Sequence, residues 1–338
     1  MSQVLIIAEA GVNHGGNLGF AKQLIDIAAE AQVDAVKFQS FKADAMVSET
    51  APKAAYQKKN TDSDESHYEM IQRLELSFDD HKELINYCKS KQIQFLSSPF
   101  DLESIDLLEQ LNVKCFKVPS GEITNLPYLR HIGSKGKPVI LSTGMSRLDE
   151  IKKAVQVLVE EGIAMEDLTL LQCNTQYPTP FQDVNLNAML TLSSVFPNSK
   201  VGYSDHTLGI EAAIAAVGMG AKVIEKHFTL DNSLPGPDHK ASLEPEGLKS
   251  LVRAIRNTEL ALGSSIKQPT PSEMPNIQIA RKSIVARIQI KKGELLTEEN
   301  LATKRPGTGI CPMQWENVIG SPANRDYDKD DQIEEPVL

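Results

Sequence analysis

This 338-residue chain has few of the devices that staple or anchor a protein. Its four cysteines, Cys88, Cys115, Cys173 and Cys311, are scattered without CxxC spacing. That argues against a disulfide framework and for reduced, mostly structural thiols. No apolar stretch approaches the length of a membrane span, and "VLIIAEAG" begins within three residues of Met1 with no basic region and no small-residue cleavage site. A cytoplasmic protein without a membrane partner is therefore expected. Positive charge is in deficit, with 35 Lys and Arg against 45 Asp and Glu and a formal net charge of -10, which disfavours a nucleic-acid surface. An anionic substrate is still allowed, because a few lysines in a cleft outweigh a distant acidic surface locally. The dinucleotide fingerprint is absent too, since "AGVNHGG" after the first apolar run lacks the GxGxxG spacing.

With 41% hydrophobic and 24% charged residues, the chain can bury a full core in one large domain and carry a small one beside it. Eight short apolar runs recur with amphipathic segments between them: Val4–Ala8, Ala35–Gln39, Gln94–Ser98, Cys115–Val118, Pro138–Ser142, Leu168–Cys173, Val201–Ser204 and Val223–Lys226. Helix-patterned stretches such as Arg147–Glu161 and Pro245–Leu262 follow them. Eight strand-then-helix units predict a parallel (β/α)8 TIM barrel over residues 1–263, with a doubly wound open sheet as the alternative. Phe41–Leu76, containing "SETAPKAAYQKKNTDSDESHYEM", is too long for a plain connection and reads as a lid with some helix of its own. Residues 264–279, with Pro269, Pro271 and Pro275, read as a linker, and residues 280–338 as a compact tail that gains by docking.

Alternation along a strand sorts the polar residues at the strand tips. If His227 points into the barrel, so do Glu225 and Val223, while Lys226 faces the helices or the rim. The same parity groups Leu5, Ile7 and Glu9 on the first strand, Lys37 and Gln39 on the second, and Cys115 and Lys117 on the fourth. It groups Ile140 and Ser142 on the fifth, Cys173, Thr175 and Tyr177 on and after the sixth, and Gly202, Ser204 and His206 on the seventh. All can converge at the carboxyl ends of the strands, where barrel active sites sit. A lone histidine is more often a hydrogen-bonded core residue than a ligand. Two on adjacent strand ends, with Glu9, Lys37 and Lys117 around the same mouth, point instead to metal ligands, since unpaired buried charges are costly. Two imidazoles without thiolates leave coordination positions open for water and substrate oxygens, which suits a catalytic Mn2+ or Mg2+. Singly, Ser98, Ser120, Ser142 and Ser204 read as helix caps. As a set beside Gly121, Gly144 and the two lysines they favour a pocket for phosphate and carboxylate oxygens.

Read in order, "EAGVNHGG", "VKFQSFKAD", "SSPFD", "FKVPSGEITNLPYL", "ILSTGM", "CNTQYPTPFQDVNL", "GYSDHTLG", "EKHFTLD", "GPDHKAS" and "KRPGTG" resemble the bacterial sialic acid synthase family over nearly the whole chain. The tail is similar to the antifreeze-like (SAF) domain of those enzymes. The resemblance implies a metal-dependent condensation of phosphoenolpyruvate with an N-acylated mannose-type sugar, giving a nine-carbon 2-keto acid and phosphate. By that resemblance His206 and His227 are the metal ligands, and Lys37, Ser98, Lys117, Ser120, Ser142 and Ser204 bind phosphoenolpyruvate. Gln39, Phe100, Tyr177 and Asp238 fall on the sugar side, and Glu9 and Glu122 match acidic residues near the reacting atoms. Arg305 resembles the arginine that the tail presents to the sugar's acyl group, usually in the partner subunit of a domain-swapped homodimer. Thr175 falls where some members carry asparagine and Arg281 where some carry an aromatic, so the sugar is left open between N-acetylmannosamine and the 6-deoxy diacetamido sugar that leads to legionaminic acid.

On this expectation the metal polarises the sugar aldehyde, the lysines neutralise phosphate and carboxylate, and Glu9 or Glu122 handles the water that adds at the phosphate-bearing carbon. Two other readings compete. A Schiff-base aldolase would use Lys117 or Lys226 as nucleophile, with parity already weakening Lys226. An ice- or carbohydrate-binding module would put the function in the tail alone.

Overall fold

The computed structural model describes residues 3–62 and 64–335. Residues 1 and 2, 63, and 336–338, which belong to the predicted barrel, lid and tail, lie outside the described residues. The chain divides after Gly263 into two compact units.

The first unit carries eight parallel strands: β1 (Leu5–Gly11), β2 (Ala35–Ser40), β3 (Gln94–Pro99), β4 (Phe116–Val118), β5 (Val139–Ser142), β6 (Leu168–Cys173), β7 (Lys200–Asp205) and β8 (Val223–His227). Their hydrogen-bonded order is β3-β2-β1-β8-β7-β6-β5-β4. The two ends of that order, β3 and β4, lie side by side, so the sheet curls into the (β/α)8 barrel. The strands read as continuous apolar runs because both of their faces are covered. Inward residues Leu5, Ile7, Ala35, Leu96, Cys115, Ile140, Leu171 and Val223 fill the centre. Outward residues such as Ile6, Val36, Phe116 and Ile224 pack beneath the surrounding helices. Close packing inside is tight enough to require Gly202 on β7: a Cβ there would stand 2.3 Å from the Val223 carbonyl oxygen and 2.8 Å from the Leu171 side chain.

Local chemistry sets where the helices start. Asn17 accepts from the Phe20 amide and Asp101 from the Ser104 amide, while Ser77 and Asp80 form a reciprocal capping box at the helix Phe78–Ser90. The sequence-patterned helices over 147–161 and 245–262 are found as Leu148–Glu160 and Pro245–Leu262. Between β2 and β3 the chain forms the short helices Ala43–Met46, Ala55–Asn60 and His67–Arg73. Phe41, Ala43, Met70, Ile71 and Leu74 pack there with Val12 as a small core of their own. Asn60 Nδ2 donates to the Pro237 carbonyl at 2.9 Å, which ties this lid to the loop after β8.

The second unit holds the helix Met274–Ala280 within the segment read as linker, then an antiparallel pair, β9 (Ser283–Ala286) with β10 (Leu301–Lys304). Its core gathers Ile284, Ala286, Ile290, Leu296, Leu301, Val318, Tyr327 and Ile333. Among the described residues, no helix is long and apolar enough to cross a membrane.

Candidate active site

Strand register brings the ionisable residues to one level. Glu9 is the neighbour of Lys37 on one side and of His227 on the other, while Ser204 is beside both Cys173 and Glu225. Together they enclose a cavity of about 300 Å³ at the carboxyl ends of the strands. Its lining includes Glu9, Lys37, Gln39, Ser98, Phe100, Lys117, Ser120, Ser142, Thr175, Tyr177, Ser204, His206, His227 and Asp238. Thus fourteen of the residues singled out by pattern and resemblance meet in one place.

Two of them do not. Glu122 sits in the turn Ser120–Glu122, half-buried, with its carboxylate taken by Asn125 Nδ2 at 2.7 Å, outside the cavity lining. Arg305 belongs to the second unit, where it is exposed and its Nε donates to the Ala280 carbonyl at 3.0 Å.

The charges are arranged as a shared chain. Lys37 Nζ lies 2.8 Å from Glu9 and 3.8 Å from Glu225, and Lys117 Nζ lies 3.3 Å from the same Glu225 oxygen. Lys37 also donates to Ser98 Oγ at 3.0 Å, Gln39 Nε2 to Glu9 at 3.2 Å, and Ser204 Oγ to Glu225 at 3.1 Å. This sharing separates the two carboxyls. Burial works to raise both, but Glu225 has two lysines and is held below the ordinary carboxylate range. Glu9 has one lysine, which Glu225 also draws on, and burial leaves it raised. Two glutamates whose environments push them apart suit different tasks, a fixed anion and a group that exchanges protons. Burial alone would lower both lysines. Glu225 and Glu9 reverse that for Lys37, whereas Lys117 remains lowered, with Lys37 adding to the effect.

The far rim of the floor is aromatic. Tyr177 lies over His206 with ring centres 4.1 Å apart and edge-on to His227 at 5.6 Å, and Tyr56 of the lid stacks on Tyr177 at 5.0 Å. His206 Nδ1 donates to the Asn174 carbonyl, which leaves Nε2 with its lone pair. Nδ1 of His227 is buried without a hydrogen-bond partner, 3.9 Å from the Asp238 carboxylate. Burial holds His206 down to about 4 and, with the help of His206 and the lysines, His227 well below its ordinary range. Asp238 is pushed up to about 7 by burial, with Glu9 adding to the shift. Neutral imidazoles with free lone pairs, one oriented by a backbone carbonyl, are the form in which histidine holds a metal. Among the described residues no set of three or more His, Cys, Asp or Glu gathers as a metal cage. The rings of His206 and His227, 5.3 Å apart centre to centre, fit an ion held by two protein nitrogens, with water and substrate completing its shell.

Lys226 is placed by its neighbours on the opposite face of β8. Its ammonium is 2.8 Å from Asp205 and donates at 2.8 Å to the Thr207 carbonyl, wholly buried on the helix side. It holds the β7 and β8 ends together and does not line the cavity.

Several lining residues escaped selection from sequence, Glu225, Tyr56 and His67 among them. Glu225 was legible by parity as inward-facing, yet nothing in its spacing marked it as the anion between two lysines. Tyr56 and His67 of the lid also line the cavity, and no periodic signal reaches across the 36 residues of that segment to say so.

Fold and site together define a barrel protein with a buried, charged mouth of the kind that barrel enzymes carry. A family model for the NeuB family matches residues 24–267, and one for the SAF domain matches residues 281–335. The chain belongs to the NeuB family, the sialic acid synthases. It is 55% identical to an N,N'-diacetyllegionaminic acid synthase of Campylobacter jejuni over 99% of this chain and 100% of that one. It is 52% identical to the synthase of the same name from Legionella pneumophila over 94% and 89%. Among solved structures it is similar to an N-acetylneuraminic acid synthetase of Leptospira borgpetersenii, with TM-score 0.71 and 34% identity over 82% of this chain and 90% of that one.

Proposed function

We propose that the chain condenses phosphoenolpyruvate with an N-acylated mannose-type sugar and water, giving a nine-carbon 2-keto sugar acid and phosphate. The observation that supports it most is the floor of the cavity, where two buried lysines and four serine hydroxyls surround a space bordered by two neutral imidazoles. That is a receptor for phosphate and carboxylate beside a place for a divalent ion. His206 and His227 would hold Mn2+ or Mg2+, which when bound supplies Lewis-acid polarisation of the sugar aldehyde.

The rest follows from residues of the chain. Lys37 and Lys117 give up part of their contact with Glu225 and neutralise the phosphate and carboxylate, while Ser98, Ser120, Ser142 and Ser204 accept and donate around them. The methylene carbon of phosphoenolpyruvate then bonds to the aldehyde carbon, the carbonyl π pair moves onto the aldehyde oxygen, which takes up a proton to become a hydroxyl, and positive character develops at the carbon that bears phosphate. Glu9, raised by burial and fixed beside Lys37, takes a proton from the water that adds there. The tetrahedral adduct expels phosphate by cleavage of its carbon–oxygen bond, and the 2-keto group forms. Gln39, Phe100, Thr175, Tyr177 and Asp238 border the sugar. Arg305 reaches the sugar's acyl group from the tail of the partner in an exchanged homodimer.

The test is release of inorganic phosphate with phosphoenolpyruvate, Mn2+ and each sugar in turn, with chelator as control. No release with any acylated mannose-type sugar would overturn the reading. Lys117, with its lowered ammonium, is the one residue that keeps a Schiff-base route in play. Borohydride added during turnover should trap no adduct on it.

A further inference from the structure

The outward faces of β7 and β8 break their own pattern at the strand tips. Val201, Tyr203 and Ile224 on those faces pack beneath the helices. The next outward residues are Asp205 and Lys226, which are register partners across the two strands and both buried. Lys226 Nζ donates to Asp205 Oδ2 and to the Thr207 carbonyl, each at 2.8 Å. Asp205 Oδ1 accepts from the Thr207 amide at 2.9 Å, the Thr207 hydroxyl at 2.8 Å and the Tyr203 hydroxyl at 3.3 Å. Cohesion alone does not account for this pair. Two charges must leave water to make it, and an apolar pair of similar volume often holds two elements together as well or better.

What the pair brackets is His206. Asp205 and Thr207 flank it in sequence, and the carboxylate and the ammonium tie those two residues to each other on the face away from the cavity. The backbone of the residue between them is thereby fixed. The other side is held as well. The His206 carbonyl accepts from the Thr179 amide at 2.8 Å and its Nδ1 donates to the Asn174 carbonyl. Asn174 is in turn fixed by its Oδ1, which accepts from the Gln176 amide at 2.8 Å. With the backbone held from outside and Nδ1 from inside, the direction of Nε2 is determined. Lys226 also immediately precedes His227, so one ammonium couples the strand tip that carries one imidazole to the tip that carries the other.

Resting on the reading of His206 and His227 as the holders of a divalent ion, we propose that Lys226 and Asp205 are positioning residues for that site. They set His206, and its separation from His227, without touching ion or substrate. A site with only two protein nitrogens depends heavily on such support, because no third protein ligand corrects a misplaced ring, and groups behind a ligand govern metal affinity through its orientation. The role also accounts for a buried lysine one residue from the mouth that takes no part in the bond-making steps.

The experiment is titration calorimetry of Mn2+ into the full chain without substrates. Asp205→Asn combined with Lys226→Met removes both charges while keeping an acceptor for Thr207 and the lysine stem, so no lone charge is left buried. Its Kd for Mn2+ should rise about 10–100-fold, the usual cost of losing the group behind a metal ligand. The Mn2+ concentration for half-maximal turnover should rise by the same factor, with KM for phosphoenolpyruvate at saturating Mn2+ within about twofold of wild type. Thr207→Val, close in shape, removes one bond of the bracket and should raise Kd about threefold; it decides the matter if the double variant does not fold. Leu158→Ala opens a cavity under the helix Leu148–Glu160, remote in sequence from the bracket. It should lower the melting temperature and leave Mn2+ affinity unchanged. Wild-type affinity in the bracket variants that fold, or an equal loss in Leu158→Ala, overturns the inference and leaves the ligand assignment standing. Unchanged affinity in His206→Ala overturns the ligand assignment and the inference with it.

Discussion

His14 makes the barrel acid-sensitive by an amount that can be worked out. The residue lies in the "EAGVNHGG" exit of β1, fully buried against the Phe38 ring. Its Nδ1 accepts the Gly16 amide at 3.0 Å, so the proton of the neutral ring sits on Nε2, which has no partner in hydrogen-bonding geometry. Protonation would set a second N–H against the Gly16 amide and leave a charge in an apolar site. Burial, helped by His81 and opposed by the Gly11 carbonyl and Asp80, holds the group down to about 4 against an ordinary 6.5. A native imidazole lowered in this way binds protons less than the unfolded one. Its contribution is intact above pH 6.5 and is lost as pH falls toward 4. Between pH 7.5 and pH 5 the loss is about 2 kcal/mol. His14→Asn keeps an acceptor for the Gly16 amide and removes the titration. It will lower stability at every pH by leaving a gap, but the pH-dependent part of the difference should shrink by about 2 kcal/mol. Urea unfolding at pH 7.5, 6.5 and 5.0, followed by far-UV circular dichroism, measures it. Fluorescence is the wrong probe, because the one tryptophan, Trp315, belongs to the tail. Parallel stability-versus-pH lines for the two proteins would refute the account of His14.

Other expectations concern the mouth. His227→Ala should abolish measurable Mn2+ binding in titration calorimetry and reduce turnover roughly a thousandfold, with the circular dichroism of the barrel retained; near-normal activity at saturating Mn2+ would reject the ligand assignment. Lys117→Met keeps the stem and removes the charge, so KM for phosphoenolpyruvate should rise far more than that for the sugar; a selective effect on the sugar would count against the anion role. Co-expressing His206→Ala with Arg305→Ala subunits, each inactive alone, should restore activity in the purified heterodimer if tails are exchanged, since one of its two sites then carries no lesion. A heterodimer no better than its parents would show that Arg305 serves its own barrel.

The barrel was legible because strands alternate and its eight apolar runs fall in strand-then-helix order. That same alternation separates neighbours of identical chemistry: Lys226 goes outward to Asp205, while Glu225 and His227 go into the mouth. Strand ends were less legible. β1 runs on to Gly11 with a register shift between Glu9 and Gly11, and β4 is only Phe116–Val118. Neither hydrophobic pattern nor propensity encodes such an irregularity. For Glu9 and Glu122 the motif alone did not choose; Glu9 lines the cavity, while Glu122 lies outside its lining and accepts from Asn125. The lid was recognisable by length and polarity, but not which of its faces looks into the cavity. Met70 and Leu74 became one wall with Val12 and Phe100 only through long-range packing.

Glu225 sits where Lys37 and Lys117 can both touch it, so these ammonium groups already have an occupant before phosphoenolpyruvate arrives. If these lysines bind phosphoenolpyruvate as proposed, arrival of the substrate is an exchange of partners, not the filling of a positive hole. A ligand displaces Glu225 from its contacts only if it spans both lysines and also satisfies the hydroxyls around them, which a small spherical ion does not do. When the carbon–oxygen bond breaks and phosphate becomes a separate molecule, the tethered carboxylate is at hand to reclaim the lysines. In the proposed reaction this built-in competitor would screen the site against common salts at the start of a turnover and help to empty it at the end.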